Sequence, residues 1–145
     1  MSVAKGRILA IDFGTKRFGI AVSDELGIFA FARGVLENSP TIVQQIVDTA
    51  RREGVAKVIM GLPKSLKNED SDMTRQVRLF GEKLQQRLET EEIAFEFRDE
   101  RLTSVIANAN IAMSGLGKKK KENKSLRDEE AARILLQDYL DQHRV

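Results

Sequence analysis

The chain contains no cysteine. That removes disulfide frameworks and thiolate metal sites, and it fits a reducing compartment. Histidine is almost as scarce. His143 is the single one, near the C-terminus, where it is expected to be solvated, so no imidazole cluster is on offer for a soft metal. Long apolar runs are missing too. Nothing approaches the 18 or so apolar residues of a membrane span, and Met1 to Gly14 has only a short apolar run that stops at Asp12, unlike a secretory signal. The expected compartment is the cytoplasm. There is no internal repeat, no interdomain linker and no RNP-like aromatic signature for stacking single-stranded bases.

What remains is the composition of a globular protein with a heavily ionised surface: 41% hydrophobic and 32% charged over 145 residues, with a formal net charge of +2. A chain of this length buries about 68–70% of its unfolded surface, enough for one core, so residues 1–145 are expected to form one domain. The net charge is too mild to establish nucleic-acid binding, but its distribution is uneven. Between Gly115 and Arg127, six positive residues (Lys118, Lys119, Lys120, Lys121, Lys124 and Arg127) meet one acid, Glu122, which reads as a basic, flexible loop.

Arg7–Phe13 and Phe18–Ser23 are short apolar runs rich in β-branched residues, separated by Gly14-Thr15-Lys16-Arg17, and predict a β-hairpin. Ile28–Leu36 would be a third strand. Ser39-Pro40 signals a helix start, with an N-cap followed by proline at the first helical position; the stripe Ile42, Val43, Ile46, Val47, Ala50 follows and Gly54 stops it. Val55–Met60 returns to strand character, and Lys64–Ser71 reads as a loop. A second helix carries Met73, Val77, Phe80, Leu84 and Leu88 on one face. Ile93, Phe95 and Phe97 then alternate with Ala94, Glu96 and Arg98 as a fifth strand. Leu102, Ile106, Ala109 and Met113 suggest another helix. A last one, capped by Ser125, carries Ala131, Ala132, Leu135, Leu136, Tyr139 and Leu140. This order predicts an α/β fold: a five-stranded mixed sheet, three antiparallel strands then two parallel ones reached by helical crossovers, flanked by helices.

Three acidic positions stand out. Asp12 interrupts an apolar strand, and because an unpaired buried carboxylate is costly, such a residue belongs at the strand's open end beside a cation or donors. Gly14 would let a ligand approach the backbone there, with Lys16 or Arg17 to meet its phosphates; the ordinary alternative is a turn carboxylate bonding local backbone. Asp99-Glu100 follows the fifth strand, at the carboxyl end where α/β sheets place ligands, although acids also favour the start of a following helix. Asp128 completes a capping box with Ser125, yet it shares a helix face with Ala132, Leu135 and Tyr139 and so points along the stripe that docks on the sheet. Glu129 lies on the shoulder of that face. Three carboxylates on two strand ends and a helix start suit hard, oxygen-preferring Mg2+ or Mn2+, the ions that in pairs hydrolyse phosphodiesters without a protein nucleophile.

Asp12-Phe13-Gly14-Thr15-Lys16-Arg17-Phe18-Gly19-Ile20-Ala21-Val22-Ser23-Asp24, then Gly61-Leu62-Pro63, Asp99-Glu100-Arg101-Leu102-Thr103, and Asp128 with Ala131-Ala132 closely resemble the YqgF/RuvX family nearly end to end. The resemblance implies a ribonuclease H-like fold and a nuclease that resolves Holliday junctions or matures the 5′ end of precursor 16S rRNA. It places the motif acids on Asp12, Glu100 and Asp128, as catalytic residues and metal ligands. Its partners would be precursor rRNA, branched DNA and ribosomal particles, contacted by Lys16, Arg17, Arg98, Arg101, Lys118, Lys119, Lys120 and Lys121. Symmetric cutting of two strands would call for a homodimer. The chain departs from the family after Gly61-Leu62-Pro63, where a glycine is common and Lys67-Asn68-Glu69-Asp70 stands instead.

Two other functions compete. Ile11-Asp12-Phe13-Gly14-Thr15 also looks like the first phosphate loop of the actin, Hsp70 and sugar-kinase superfamily, but those proteins enclose a nucleotide between two such domains. Gly115-Leu116-Gly117-Lys118 lacks the spacing of a Walker A motif. A noncatalytic RNA-binding assembly factor would use the same basic residues, since phosphate contacts carry no sequence information.

Overall fold

The computed structural model describes residues 6–62, 72–99 and 120–143. Five strands, β1 (Arg7–Asp12), β2 (Arg17–Ser23), β3 (Ala30–Glu37), β4 (Val55–Leu62) and β5 (Ala94–Asp99), form one sheet in the order β3-β2-β1-β4-β5. β1 pairs with β2, and β2 with β3, antiparallel; β4 joins β1 and β5 joins β4 in parallel. This is the mixed sheet that the apolar runs predict. The parallel strands β1, β4 and β5 therefore end along one edge, which carries Asp12, Leu62 and Asp99.

Strand alternation sorts the side chains into two layers. On one face Leu9, Ile11, Phe18, Ile20, Val22, Val58 and Met60 meet α1 (Ile42–Arg52) and α2 (Asp72–Glu89) through Ile42, Ile46, Val47, Val77, Leu84 and Leu88. On the other, Ala10, Ala21, Ala30 and Ile59 meet α3 (Lys120–Gln142) through Ala132, Leu135, Leu136, Tyr139 and Leu140. The faces differ in grain. Large aliphatic residues hold α1 and α2 off the sheet, whereas alanines let α3 approach it closely. Gly81 brings α2 against β5, where a Cβ would lie 2.3 Å from the Phe97 ring.

Several boundaries differ from expectation. β3 starts at Ala30 rather than Ile28 because Asp24 Oδ1 accepts hydrogen bonds from the backbone N–H groups of Ile28 (2.7 Å) and Phe29 (3.0 Å), holding both residues in the turn. Those bonds favour the charged form and outweigh burial, so the Asp24 pKa is lowered. Ser39 and Pro40 lie in a turn before α1. Ile42 N–H bonds Ser39 O at 3.1 Å, Thr41 takes the N-cap position, and the helix begins at Ile42. Gly54, at φ +70°, ends it as predicted. α3 starts at Lys120, so Ser125 lies inside the helix rather than capping it, and the segment from Lys120 to Arg127 is helical rather than a loop. Lysine, glutamate, leucine and arginine are good helix formers, and this segment has no glycine or proline to stop propagation. The helix expected over Leu102–Met113 and the loop expected over Lys64–Ser71 lie outside the described residues, as do Lys118 and Lys119. Among the described residues no helix is long and apolar enough to cross a membrane.

Candidate functional site

Asp12 is the last residue of β1, and alternation from Ala10 puts it on the α3 face of the sheet. Its cross-strand partner is Gly19 of β2. A Cβ on Gly19 would fall 1.9 Å from the carbonyl oxygen of Asp128 and 3.0 Å from the Glu129 nitrogen. The backbone of α3 thus rests directly where the missing side chain would be, and Asp128 is seated on the strand residue that pairs with Asp12 although the two acids are far apart in sequence. Asp128 lies in the third turn of α3 rather than at its start. Ala131 and Ala132, one turn further on, are buried against the sheet, as the predicted helix face requires.

Arg17 opens β2 on that same face. Its Nε donates to Asp128 Oδ2 at 3.2 Å, and the two side chains are 25% and 28% exposed. The neighbouring Lys16 is exposed. The turn that carries both residues is fixed from two sides. Asn38, just past β3, donates from Nδ2 to Thr15 O at 3.0 Å, and its backbone N–H donates to Lys16 O at 3.0 Å. On the opposite face Phe13 and Phe18 pack on Phe80 of α2, with ring centroids 5.7 and 4.9 Å away. Because Phe13 follows Asp12 and Phe18 follows Arg17, anchoring the rings on one side of the sheet aims the charged pair to the other. The Arg17 carbonyl oxygen lies 2.1 Å from where a Gly14 Cβ would be, so the turn itself requires this glycine.

Arg98 reaches along α3 instead of outward. Its guanidinium stacks 4.9 Å from the Tyr139 ring centroid, donates to Gln142 Oε1 at 2.8 Å and pairs with Glu96 and Asp138 at 3.7 Å each. In the same cluster Lys57 Nζ lies 2.6 Å from Glu96 Oε1 and 2.7 Å from Tyr139 Oη. His143 is exposed, as expected, and its ring stacks on Tyr139 at 4.1 Å. Burial pushes the Lys57 pKa down, but hydrogen bonds to Glu96 and Tyr139 outweigh it and leave it raised; the Lys57 hydrogen bond is the main reason the Glu96 pKa is lowered. A lowered folded-state pKa contributes stability above the ordinary carboxylate value of 4.5 that is lost as pH falls below it. Glu96→Gln should therefore flatten the acid limb of the melting temperature below that value, measured by thermal melts from about pH 6 to about pH 3. An unchanged limb would show that Glu96 does not hold the helix.

The structure thus pairs Arg17 with Asp128, sets the Asp128 backbone on Gly19 across from Asp12, with Lys16 on the adjoining turn, and ties Arg98 into a clamp on the flank of α3. Lys120 and Lys121 form the first turn of α3. Glu100, Arg101, Lys118 and Lys119 lie outside the described residues. Among the described residues no group of three or more metal-ligating side chains is gathered. Sequence reasoning missed Asn38, which had no local signal, and Gly19, which had one: a lone glycine within an apolar strand marks a close backbone approach.

A five-stranded sheet in this order, with, among the described residues, two helices on one face and one on the other, and an aspartate ending the central strand, defines a ribonuclease H-like domain. Thermus thermophilus RuvC, solved "in complex with Holliday junction substrate", superposes with a TM-score of 0.58 over 94% of this chain and 95% of its own at 14% identity, which shows the shared fold. The profile of the family described as "RuvX: Holliday junction resolvase" matches residues 6–142, and the chain belongs to that family. A Bacteroides fragilis protein named "Putative pre-16S rRNA nuclease" is 41% identical over 96% of this chain and 99% of its own. Proteins of the same name from Flavobacterium psychrophilum and Maridesulfovibrio salexigens are 42% and 38% identical, each over 92% of this chain and 96% and 97% of their own.

Proposed function

We propose that this protein is a metal-dependent endonuclease that hydrolyses phosphodiesters of precursor small-subunit rRNA, with Asp12, Glu100 and Asp128 as ligands of Mg2+ or Mn2+. The observation that carries the reading is the seating of Asp128 on Gly19, directly across from Asp12. Two half-buried carboxylates on one face, in a chain without cysteine, fit a hard cation. Glu100 enters through its place in the motif that follows β5. A bound cation would supply an activated water and stabilise the departing oxygen. The chain's own residues do the rest. Asp12 and Asp128 set the position of the cation, the Phe13–Phe18–Phe80 cluster keeps the strand ends from moving, and Lys16 meets the phosphate backbone from an exposed turn. The relatives named for precursor 16S rRNA cover nearly the whole chain and favour RNA as substrate.

The family description favours a second reading, cleavage of branched DNA. An assay of the same preparation on a four-way DNA junction and on a precursor 16S rRNA fragment, with and without Mg2+ or Mn2+, separates them. Metal-dependent cleavage of the RNA is expected. Cleavage of the junction alone would move the substrate to DNA, and cleavage of neither, with the protein still bound to RNA, would leave a noncatalytic assembly factor. The nucleotide-binding alternative predicts a thermal shift with ATP, and none is expected.

A further inference from the structure

We propose that Arg17 is an exchangeable counter-ion: it holds Asp128 in the metal-free protein, is displaced when a divalent cation enters, and then takes a phosphate of the nucleic acid. This rests on the nuclease reading above, and it assigns Arg17 a role different from that of the neighbouring Lys16. Three features support it. The Arg17–Asp128 contact, at 3.2 Å and with both side chains about a quarter exposed, lies between a solvated surface pair and a buried one. Its strength is then modest, so a doubly charged ion can replace it without unfolding anything. Arg17 is also the first residue of β2 on the edge where β1 ends. A guanidinium released there has its planar donors at the site of cleavage, suited to two oxygens of one phosphate. Finally, the Asp128 backbone rests on Gly19, the cross-strand partner of Asp12, so both acids belong to one end of the β1–β2 pair, and acids gathered at one end favour a positive charge among them. Arg17 places such a charge on Asp128 in the empty state and is released when the cation takes over. Metal binding and phosphate binding are thereby coupled, each favouring the other.

The test uses the full chain and reads binding rather than turnover. Mn2+ affinity, followed by electron paramagnetic resonance without nucleic acid, should rise about three- to fivefold in Arg17→Gln, the range expected for loss of a partly exposed ion pair. It should rise by less than about twofold in Lys16→Gln, whose charge is screened by solvent. In EDTA, Asp128→Asn should bind a precursor 16S rRNA fragment more tightly than the wild type, with a salt slope steeper by about 0.7–0.9, the increment of one added phosphate contact. The gain should vanish when Arg17→Gln is combined with it. Arg17→Lys, a milder change, should keep most of the competition with Mn2+ and lose part of the RNA affinity, because the charge remains but the fork does not. Equal Mn2+ shifts for Arg17→Gln and Lys16→Gln, or an Asp128→Asn gain that survives in the double variant, would overturn the exchange. Either result beside intact metal-dependent cleavage removes this inference and leaves the nuclease reading in place. The expected exchange in a protein that cleaves nothing removes the nuclease reading alone. Failure of Mn2+ to bind any variant removes both.

Discussion

Asp12→Asn is expected to lower the rate of metal-dependent cleavage about a thousandfold while leaving the melting temperature within about 2 °C of the wild type. A metal-held site supplies several kcal/mol of charge stabilisation in the transition state, and each 1.36 kcal/mol is a factor of ten. Loss of one anionic ligand removes most of that. Stability should change little, because the substitution keeps the side chain's size and its hydrogen-bonding capacity at the half-buried end of β1. Single-turnover cleavage and a thermal melt of one preparation check both halves. Cleavage that persists in a well-folded Asp12→Asn would take the chemistry away from this strand end.

Gly19→Ala should do the opposite and damage structure and chemistry together. The added methyl would lie 1.9 Å from the Asp128 oxygen and 2.4 Å from its carbonyl carbon. These are helix backbone atoms, which cannot swing aside as a side-chain tip can. α3 must lift from β2, loosening the contacts of Ala132 and Leu135 with the sheet. Overpacking of this kind costs about 3 kcal/mol, a fall of roughly 6–12 °C in melting temperature for a domain of this size. Asp128 moves with the helix, and a displacement of about 1 Å at a catalytic group can cost about a hundredfold in rate. Every ligand is still present in this variant, so weaker Mn2+ binding would report geometry rather than missing chemistry. An alanine accepted without loss of stability would mean that α3 does not sit on Gly19.

The sheet was legible because its signals are local. β-branched runs, alternation in Phe95 and Phe97, and the short hairpin between Asp12 and Phe18 each announce a strand, and the rules for crossover connections order them. Asp12 was legible for the same reason, as a charge closing an apolar strand. The face of α3 could be read from the spacing of Ala132, Leu135 and Tyr139, which put Asp128 toward the sheet before any contact was known. Its starting point could not, because Lys120 to Arg127 has helix propensity without apolar periodicity, and Ser125 offered a plausible cap. Pairings across the fold left no trace in the sequence pattern. The partnership of Arg17 with Asp128, and the clamp of Lys57, Glu96 and Arg98 around Tyr139, join charges from separate elements, and a charge carries no mark of which opposite charge it will meet. Arg98 shows the consequence: beside an acidic motif it reads as a phosphate ligand, yet its guanidinium is engaged by Glu96, Asp138, Gln142 and the Tyr139 ring.

The contact between α3 and Gly19 also sets a clock. Arg17 and Asp128 are 111 positions apart. At ribosomal speeds of about 5–20 residues per second, Asp128 is joined to the chain roughly 6–20 s after Arg17. For that interval the hairpin bearing Asp12 exists without its covering helix, and Asp128 has not yet been made. A nascent chain therefore carries an incomplete set of the proposed ligands while it is still tethered to a ribosome, a particle built around the mature form of the RNA on which it is proposed to act. The proposed ligand set is completed only when the helix closes over β2, by the order of synthesis alone.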